Sequence, residues 1–269
     1  MAAYARSNLG HLREAIESVL AQTHREWELI VALDGPVGEE ARGLLEDFAA
    51  ADARIRLLPL RENRGQAFAR NRAIEKADGE FIAVLDADDR ARPERLERQL
   101  AYLDETGADL AGSFYFRIDG AGEIIGKHEV PADSASIQRY SCAFNPVANS
   151  TVIARAAVFK ENRYYEPYRY GEDYRLWIDL MKAGYELVNQ PEFLVEFRVD
   201  SEFMSRRRGA KRLYMDLANK LDALPLYPLW QRPFALGVIA GASLIRVLPS
   251  PILNAAYGFR ARLRFGKRG

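Results

Sequence analysis

The chain has 269 residues, of which 48% are hydrophobic and 28% are charged, so a predominantly disordered protein is excluded and one large folded domain is expected. The single cysteine, Cys142, excludes a disulfide framework and a cysteine metal cluster, and it fits a reducing, cytoplasmic setting.

Charge is distributed unevenly along the chain, although its net value is zero. Residues 206–269 contain 13 Lys and Arg against two acids, a surplus of 11, so residues 1–205 carry −11. Such a basic tail is expected to meet an anionic surface such as a membrane, or else to be a solvated helical face. The longest apolar run, 234–245, is about 12 residues and falls short of the ~20 that span a bilayer.

The first 90 residues alternate helical and strand patterns. The near-continuous apolar runs WELIVAL and EFIAVL are typical of strands buried on both faces. The pattern predicts, in order, a helix ending near Gln22, a strand over 27–33, a helix over 39–50, a strand over 55–58, a helix over 66–76 and a strand over 80–85. This order predicts an α/β fold with a mixed, mostly parallel sheet flanked by helices, whose ligands bind at the carboxyl ends of the strands.

Beyond Pro93 the pattern becomes mixed. Asp119-Gly120 is a turn signal between two strand patterns, so a hairpin is predicted there. The elements expected are a helix over 93–104, strands over 109–118 and 123–130, and helices over 174–183 and 211–221. Three prolines between 225 and 233 mark a linker, so we expect a catalytic domain over 1–205 and a helical C-terminal segment over 206–269.

Asp86-Ala87-Asp88-Asp89, directly after the strand over 80–85, is the strongest chemical signal. Three carboxylates crowded at a strand end repel one another unless a cation offsets their charge. Carboxylate oxygens suit hard ions such as Mg²⁺ or Mn²⁺, and such an ion takes further ligands from a diphosphate. A polar turn that caps the following helix is the alternative interpretation.

Three further signals are weaker when taken alone. Asp34, at the end of WELIVAL, can accept the imide N–H of a uracil or thymine, or simply form an Asp-Gly turn. Asp173 is a candidate general base, although an acid in the first turn of a helix is also favoured by the helix dipole. Arg70 lies in the predicted helix that begins after Gly65. It is a candidate contact for phosphate or ribose, or else a solvated surface arginine.

The stretches LREAIESVLAQT, WELIVALDG, ARNRAIEKADGEFIAVLDADD and GEDYRLW resemble, in this order, the successive blocks of family 2 glycosyltransferases over residues 1–198. The resemblance implies a GT-A fold, which is the fold of nucleotide-diphospho-sugar transferases. It implies an inverting, metal-dependent transfer of a sugar from a UDP- or dTDP-sugar to an acceptor hydroxyl. The processive enzymes' Gln-x-x-Arg-Trp motif is missing, which favours the addition of a single sugar.

The resemblance also implies roles for individual residues. The metal position is matched by Asp88, the nucleotide-sugar contacts by Tyr4, Asp34, Arg70 and Asp86, the catalytic base by Asp173, and the acceptor side by Glu172 and Trp177. The chain departs from the family pattern ahead of Tyr4, so the first strand is expected to be largely missing and donor binding to be affected. Leu33 stands where the family often has the first Asp of an Asp-Asp pair, which leaves Asp34 alone.

The Asp34-Gly35-Pro36 variant and the tail RVLPSPILNAAYGFRARLR are similar to enzymes that extend lipid-linked sugars for bacterial surface polysaccharides. A polyprenyl-diphosphate-linked acceptor is therefore expected. Residues 234–268 combine apolar side chains with arginines, which predicts a peripheral contact with the inner face of the plasma membrane. Packing of this segment against the catalytic domain or a second subunit is the alternative, and no nucleic acid partner is expected.

Two other functions remain open at this point. A haloacid-dehalogenase-like phosphatase would use Asp86 as its nucleophile and Asp88 as its general acid, but the downstream lysine motif of that family is not found. A nucleotide-sugar-binding module without activity is the second alternative, because the shortened first strand would disturb the pocket.

Overall fold

The computed structural model describes residues 1–164, 171–199 and 210–247, which form two β-sheets with helices packed on their faces. The strands are β1 Ala2–Ala3, β2 Leu29–Leu33, β3 Ile55–Pro59, β4 Phe81–Ala83, β5 Arg90–Ala91, β6 Leu110–Ile118, β7 Ile124–His128, β8 Ile153–Arg155 and β9 Leu187–Arg198. The helices are α1 Leu9–Leu20, α2 Glu39–Ala51, α3 Gln66–Glu75, α4 Arg95–Thr106, α5 Ser134–Tyr140, α6 Ala156–Glu161, α7 Glu172–Lys182, α8 Ala210–Asp222 and α9 Arg232–Val247.

The first sheet has the order β1-β2-β3, and both of its strand pairs are parallel. All five residues of β2 are buried, as its continuous apolar sequence predicts. Val31 and Leu33 pack with Leu12 and Ile16 of α1 and with Leu45 of α2. The amphipathic spacing of these two helices therefore covers one face of the sheet.

The second sheet has the order β4-β8-β6-β9-β5, with β7 added to β6 as the predicted hairpin. In this sheet β6 and β9 are parallel, whereas β4 runs antiparallel to β8. The β4 segment therefore joins strands from later in the chain instead of extending the first parallel sheet. Together the two sheets form the mixed α/β architecture that the sequence predicts.

Strand β9 is the long element that the sequence pattern does not reveal. It contains Pro191, which lacks an N–H for the ladder, and its register against β6 shifts between Ser113 and Phe114. A proline is tolerated in a sheet at such an irregularity. Strand β9 thereby pairs with both β6 and β5 and carries Arg198 to the loop that follows β4.

A cavity of about 680 Å³ separates the two sheets. Leu29 and Ile30 of β2 line one side, and the segment 81–85 lines the other. Strand β1 contributes only two residues and pairs with Ala32 and Leu33, so the short first strand expected from the sequence is present in this form. Within the described ranges β4 pairs with β8 alone, so its other edge faces this cavity.

The C-terminal helices dock on the catalytic part through two apolar clusters, and one of them joins Ala223 and Leu226 to Tyr174 and Ile178 of α7. Ala235 and Ile239 of α9 pack with Cys142 and Tyr227, and the Tyr227 hydroxyl donates to the carbonyl of Gln138 at 2.6 Å. The predicted boundary near residue 205 and the ends of the segments 206–269 and 234–268 lie outside the described residues. None of the helices in the described ranges combines the length and the apolarity that would carry it across a bilayer.

Candidate functional site

Arg70 joins the two acidic motifs that the sequence singles out. Its guanidinium donates to Asp86 Oδ1 at 2.6 Å and to Glu172 Oε1 at 3.1 Å. Arg70 lies on α3, Asp86 follows β4, and Glu172 begins α7, so three separate elements meet at one ion-pair network. The structure therefore brings the Asp86-Ala87-Asp88 loop and the Glu172-Asp173 motif together, as the resemblance implies.

This network is buried, and its charges depend on one another. The side chains of Arg70 and Glu172 are 7% and 2% exposed, whereas Asp86 is 28% exposed. Burial acts to lower the pKa of Arg70, but the charges of Asp86 and Glu172 outweigh it and raise that pKa above its usual value. Burial raises the pKa of Glu172, and the charge of Arg70 opposes this rise. Arg70 is therefore a permanent cation inside an acidic site.

Asp173 occupies the second position of α7, beside Glu172, and is partly exposed. Its Oδ2 accepts a hydrogen bond from Asn145 Nδ2 at 2.8 Å. Burial of the carboxyl group raises the pKa of Asp173, while hydrogen bonds from the Tyr174 N–H and from Asn145, together with the charge of Arg70, hold it down. A carboxylate with a raised pKa is a stronger proton acceptor, as a general base requires.

The turn around Asn149 supports Asp86 from the other side. Asn149 Nδ2 donates to Asp86 Oδ1 at 3.1 Å, and the Asn149 side-chain oxygen accepts from the Tyr164 hydroxyl at 2.9 Å. The backbone N–H of Asp86 donates to Ser150 Oγ at 3.2 Å. The roles of Asn145 and Asn149 are not predicted from the sequence, because their one signal is the asparagine-containing stretch FNPVANST, which is also typical of an ordinary turn.

The third carboxylate of the acidic loop has a structural role. Asp89 is 1% exposed, and its Oδ1 accepts the backbone N–H of Arg198 at 2.7 Å. The Arg198 side chain donates in turn to the carbonyl oxygen of Asp88 at 2.8 Å and to Glu14 at 2.5 Å. Asp89 thus ties the loop to β9 and leaves Asp86 and Asp88 as the two partly exposed carboxylates.

Asp86 and Asp88 offer the oxygen donors that Mg²⁺ and Mn²⁺ prefer. Among the residues that the structure describes, no group of three or more Asp, Glu, His or Cys is arranged to hold an ion. Asp86 Oδ1 is also shared by Arg70 and Asn149. The donor set therefore fits a divalent ion only if a second molecule, such as a diphosphate, supplies further oxygens.

Asp34 is 4% exposed, and both of its carboxylate oxygens are engaged by the loop before α3. They accept the N–H groups of Arg64 and Gly65 at 2.8 and 2.9 Å. Gly35 next to it has a φ of 82°, and a side chain there would approach the Asn63 nitrogen to 2.6 Å. Each oxygen keeps a further lone pair. The base contact of Asp34 stays a prediction, as does stacking on the partly buried Tyr4.

Trp177, which the resemblance assigns to the acceptor side, lies in the protein core. Its ring is 0% exposed and lies edge-on to Phe159 and Tyr164, with centroid separations of 6.5 and 6.2 Å. Its indole N–H donates to the carbonyl of Val147 at 3.2 Å. One helical turn after Asp173, Trp177 faces the core and fixes α7 from behind. Glu172 is also buried, and its contacts are with Arg70 and Gln66.

Comparisons with known proteins identify the family of the chain. The sequence model of the family described as Glycosyl transferase family 2 matches residues 1–154. The amylovoran biosynthesis glycosyltransferase AmsE of Erwinia amylovora is 28% identical over 257 residues, which cover 94% of this chain and 95% of AmsE. An uncharacterized glycosyltransferase of Methanocaldococcus jannaschii, MJ1057, is 29% identical over 205 residues, 75% of this chain and 71% of MJ1057.

Solved structures of TarS from S. aureus share the fold. The crystal structure of TarS 1–349 superposes with a TM-score of 0.63 at 18% identity, covering 91% of this chain and 69% of that chain. TarS 1–349 in complex with UDP-GlcNAc superposes with a TM-score of 0.63 at 16% identity, covering 93% and 81%. This likeness confirms the predicted GT-A fold class.

Proposed function

Because the chain belongs to glycosyl transferase family 2, we propose that it transfers a single sugar from a UDP- or dTDP-sugar to an acceptor hydroxyl, with inversion at the anomeric carbon. The observation that carries the proposal is the ion-pair network in which Arg70 holds the Asp86 loop against the start of α7. The Asp86 loop, proposed to bind the diphosphate, is held in this way beside the helix that carries the proposed base, although the two motifs are 87 residues apart in sequence (86 and 173).

Asp173 is proposed as the base. Asn145 fixes its Oδ2, so the carboxylate is held in one orientation. In the proposed step the acceptor oxygen forms a bond to the anomeric carbon while the bond from that carbon to the diphosphate oxygen breaks. The acceptor proton passes to Asp173, and the electron pair of the broken bond leaves with the nucleoside diphosphate. The pKa of Asp173, raised chiefly by burial, favours this proton transfer.

Asp88, beside Asp86, is proposed to hold Mg²⁺ or Mn²⁺ together with oxygens of the donor diphosphate. When bound, such an ion neutralises the charge that develops on the leaving group. Tyr4 and Asp34 are proposed to contact the base of the nucleotide, and Glu172 to act through Arg70 on the acceptor side. Support for the donor class comes from the TarS complexes with UDP and with UDP-GlcNAc.

The acceptor is proposed to be a growing, lipid-linked bacterial surface polysaccharide. AmsE, which matches nearly the whole chain, carries the name of an amylovoran biosynthesis glycosyltransferase. The processive Gln-x-x-Arg-Trp motif is missing from the sequence, in agreement with the addition of one sugar at a time.

The test compares Asp173→Asn with Asp179→Asn on the same helix. Asp179 forms an exposed ion pair with Arg175 at 2.8 Å and has no part in the network. A screen of UDP- and dTDP-sugars with Mn²⁺, read as a rise in melting temperature, first identifies the donor. We expect Asp173→Asn to lower kcat by roughly 10²–10⁴ with donor binding retained, and Asp179→Asn to leave both unchanged.

Two outcomes would reject the proposal. Equal turnover by the wild type and by Asp173→Asn would show that Asp173 is not the base. Donor binding without turnover by the wild-type chain, with every acceptor offered, would favour the inactive binding module instead.

A further inference from the structure

The C-terminal helices present a large apolar surface to solvent. Leu229, Trp230 and Phe234 are 75%, 78% and 78% exposed, and they are close in sequence, at the junction between a short 3₁₀ turn and the start of α9. We call these three residues the Trp230 patch. Large apolar side chains grouped in this way mark an interaction surface more often than an ordinary protein surface.

Helix α9 continues this patch without a charge. Between Arg232 and Arg246 its sequence contains no charged residue, and the exposed positions after Phe234 include Leu236, Gly237 and Ala240. The opposite face, with Ala235 and Ile239, is buried against Cys142 and Tyr227. A helix that is apolar on all sides belongs in a protein core or in contact with lipid. One side of α9 packs against the rest of the protein, and the other side is exposed to solvent.

Charge decides which partner fits the exposed side. The segment 206–269 that carries the patch has a surplus of 11 positive charges. A symmetric contact between two copies through the patch would combine two segments of like net charge in one assembly, which is unfavourable. An anionic bilayer surface is attracted by the same charges, and each Lys or Arg near such a surface adds to binding.

The length of α9 sets its orientation toward the bilayer. Its 16 residues extend about 24 Å at 1.5 Å per residue, less than the ~30 Å hydrocarbon core. A tryptophan close in sequence to an arginine, as at Trp230 and Arg232, is typical of the boundary between headgroups and acyl chains. We propose that the chain binds the surface of an anionic bilayer by inserting the Trp230 patch, with α9 lying along the interface.

The proposal does not depend on the catalytic assignment, because the patch contains none of the residues of the active-site network. The experiment uses the full chain and flotation with two vesicle preparations, pure phosphatidylcholine and phosphatidylcholine with ~30% phosphatidylglycerol. We expect flotation with the anionic vesicles and much weaker flotation with the neutral ones, and we expect high salt to reduce it.

The decisive variant is Trp230→Ser/Phe234→Ser, and its matched control is Ile124→Ser/Ile125→Ser on β7. Both control isoleucines are 53% exposed, but they lie on the hairpin of the catalytic part. We expect the patch variant to lose about tenfold or more in vesicle affinity for each side chain removed from lipid. The control variant is expected to bind as the wild type does. Because all four side chains are exposed, an unchanged melting temperature is expected for both variants.

Three results would overturn the proposal. The first is no flotation with anionic vesicles, and the second is equal loss of binding in the patch and control variants. The third is a dimer of the wild-type chain without lipid that the patch variant abolishes, which would assign the patch to a second copy. Failure of sugar transfer with flotation intact would count against the proposed function alone.

Discussion

Replacing Arg70 by Met tests whether the buried ion network holds the site together. The substitution keeps an unbranched apolar chain of similar length but removes the cation between Asp86 and Glu172. Asp86 is 28% exposed and keeps its bond from Asn149, so water offsets part of its loss. Glu172 is 2% exposed and loses its only ion pair within the described residues. Glu172 therefore loses more electrostatic stabilisation than Asp86 does.

Breaking a buried ion pair from one side costs about 3–5 kcal/mol. At roughly 2–4 °C per kcal/mol for a domain of this size, the melting temperature should fall by about 10 °C at pH 8. The matched control is Arg72→Met on the same helix. Its pair with Glu75 is 32% and 38% exposed, so a cost below about 1 kcal/mol is expected.

The dependence on pH identifies the cause. Burial raises the folded-state pKa of Glu172, and without Arg70 that pKa rises further. A carboxyl group whose folded pKa exceeds its unfolded pKa destabilises the fold as pH rises through the interval between them, and the penalty vanishes below it. The loss in free energy of unfolding of Arg70→Met, relative to the wild type, should therefore become smaller between pH 8 and pH 5. The change is about 1.4 kcal/mol per unit of additional pKa shift.

Thermal and urea unfolding of both variants at pH 5, 6.5 and 8 provide the measurement. A loss in free energy of unfolding that is the same at all three pH values would show that lost packing, and not an unpaired charge, destabilises the variant. That result would refute the view that Arg70 stabilises the fold by compensating the buried charge of Glu172.

Further predictions concern other parts of the site and fold. Asn145→Ala removes a hydrogen bond that holds down the pKa of Asp173, so the acid limb of the kcat/KM profile should move to higher pH; an unmoved limb would contradict the orienting role. Asp89→Ala leaves the buried N–H of Arg198 unpaired and should cost about 1–3 kcal/mol in urea unfolding, whereas a cost near zero would argue against the tie to β9. One residue of a strand fills about 160 Å³, which is the product of its rise, the distance between strands and the distance between sheets. The 680 Å³ cavity therefore has room for about four residues. Adding Val-Ile-Val-Ile ahead of Met1 should raise the melting temperature more than adding Gly-Ser-Gly-Ser does; equal effects would show that the cavity does not accept a strand.

Much of the fold could be predicted because local patterns determine it. Strands were predicted from the apolar runs around Val31 and Val84, and a helix from the spacing of Leu12 and Ile16. The predicted bounds lie within a few residues of the observed ones. The hairpin after Ile118 followed from its turn residues, since the Asp119 carboxylate accepts the N–H groups of Ala121 and Glu123. Strand β9 could not be predicted in this way, because Pro191 interrupts its pattern and its partners lie more than 60 residues away.

The sequence by itself determined which residue types are proposed to carry the chemistry: the carboxylates of the Asp86 loop and of the Glu172-Asp173 motif, in an order typical of one family. Only the tertiary structure decided what each side chain does there. Trp177 is spaced to share the face of Asp173 but lies in the core, and Arg70 is buried between two acids instead of solvated. The physical reason is that spacing along a helix fixes a direction relative to that helix alone. Burial, and with it the pKa of each group, depends on the elements from distant parts of the chain that pack against it.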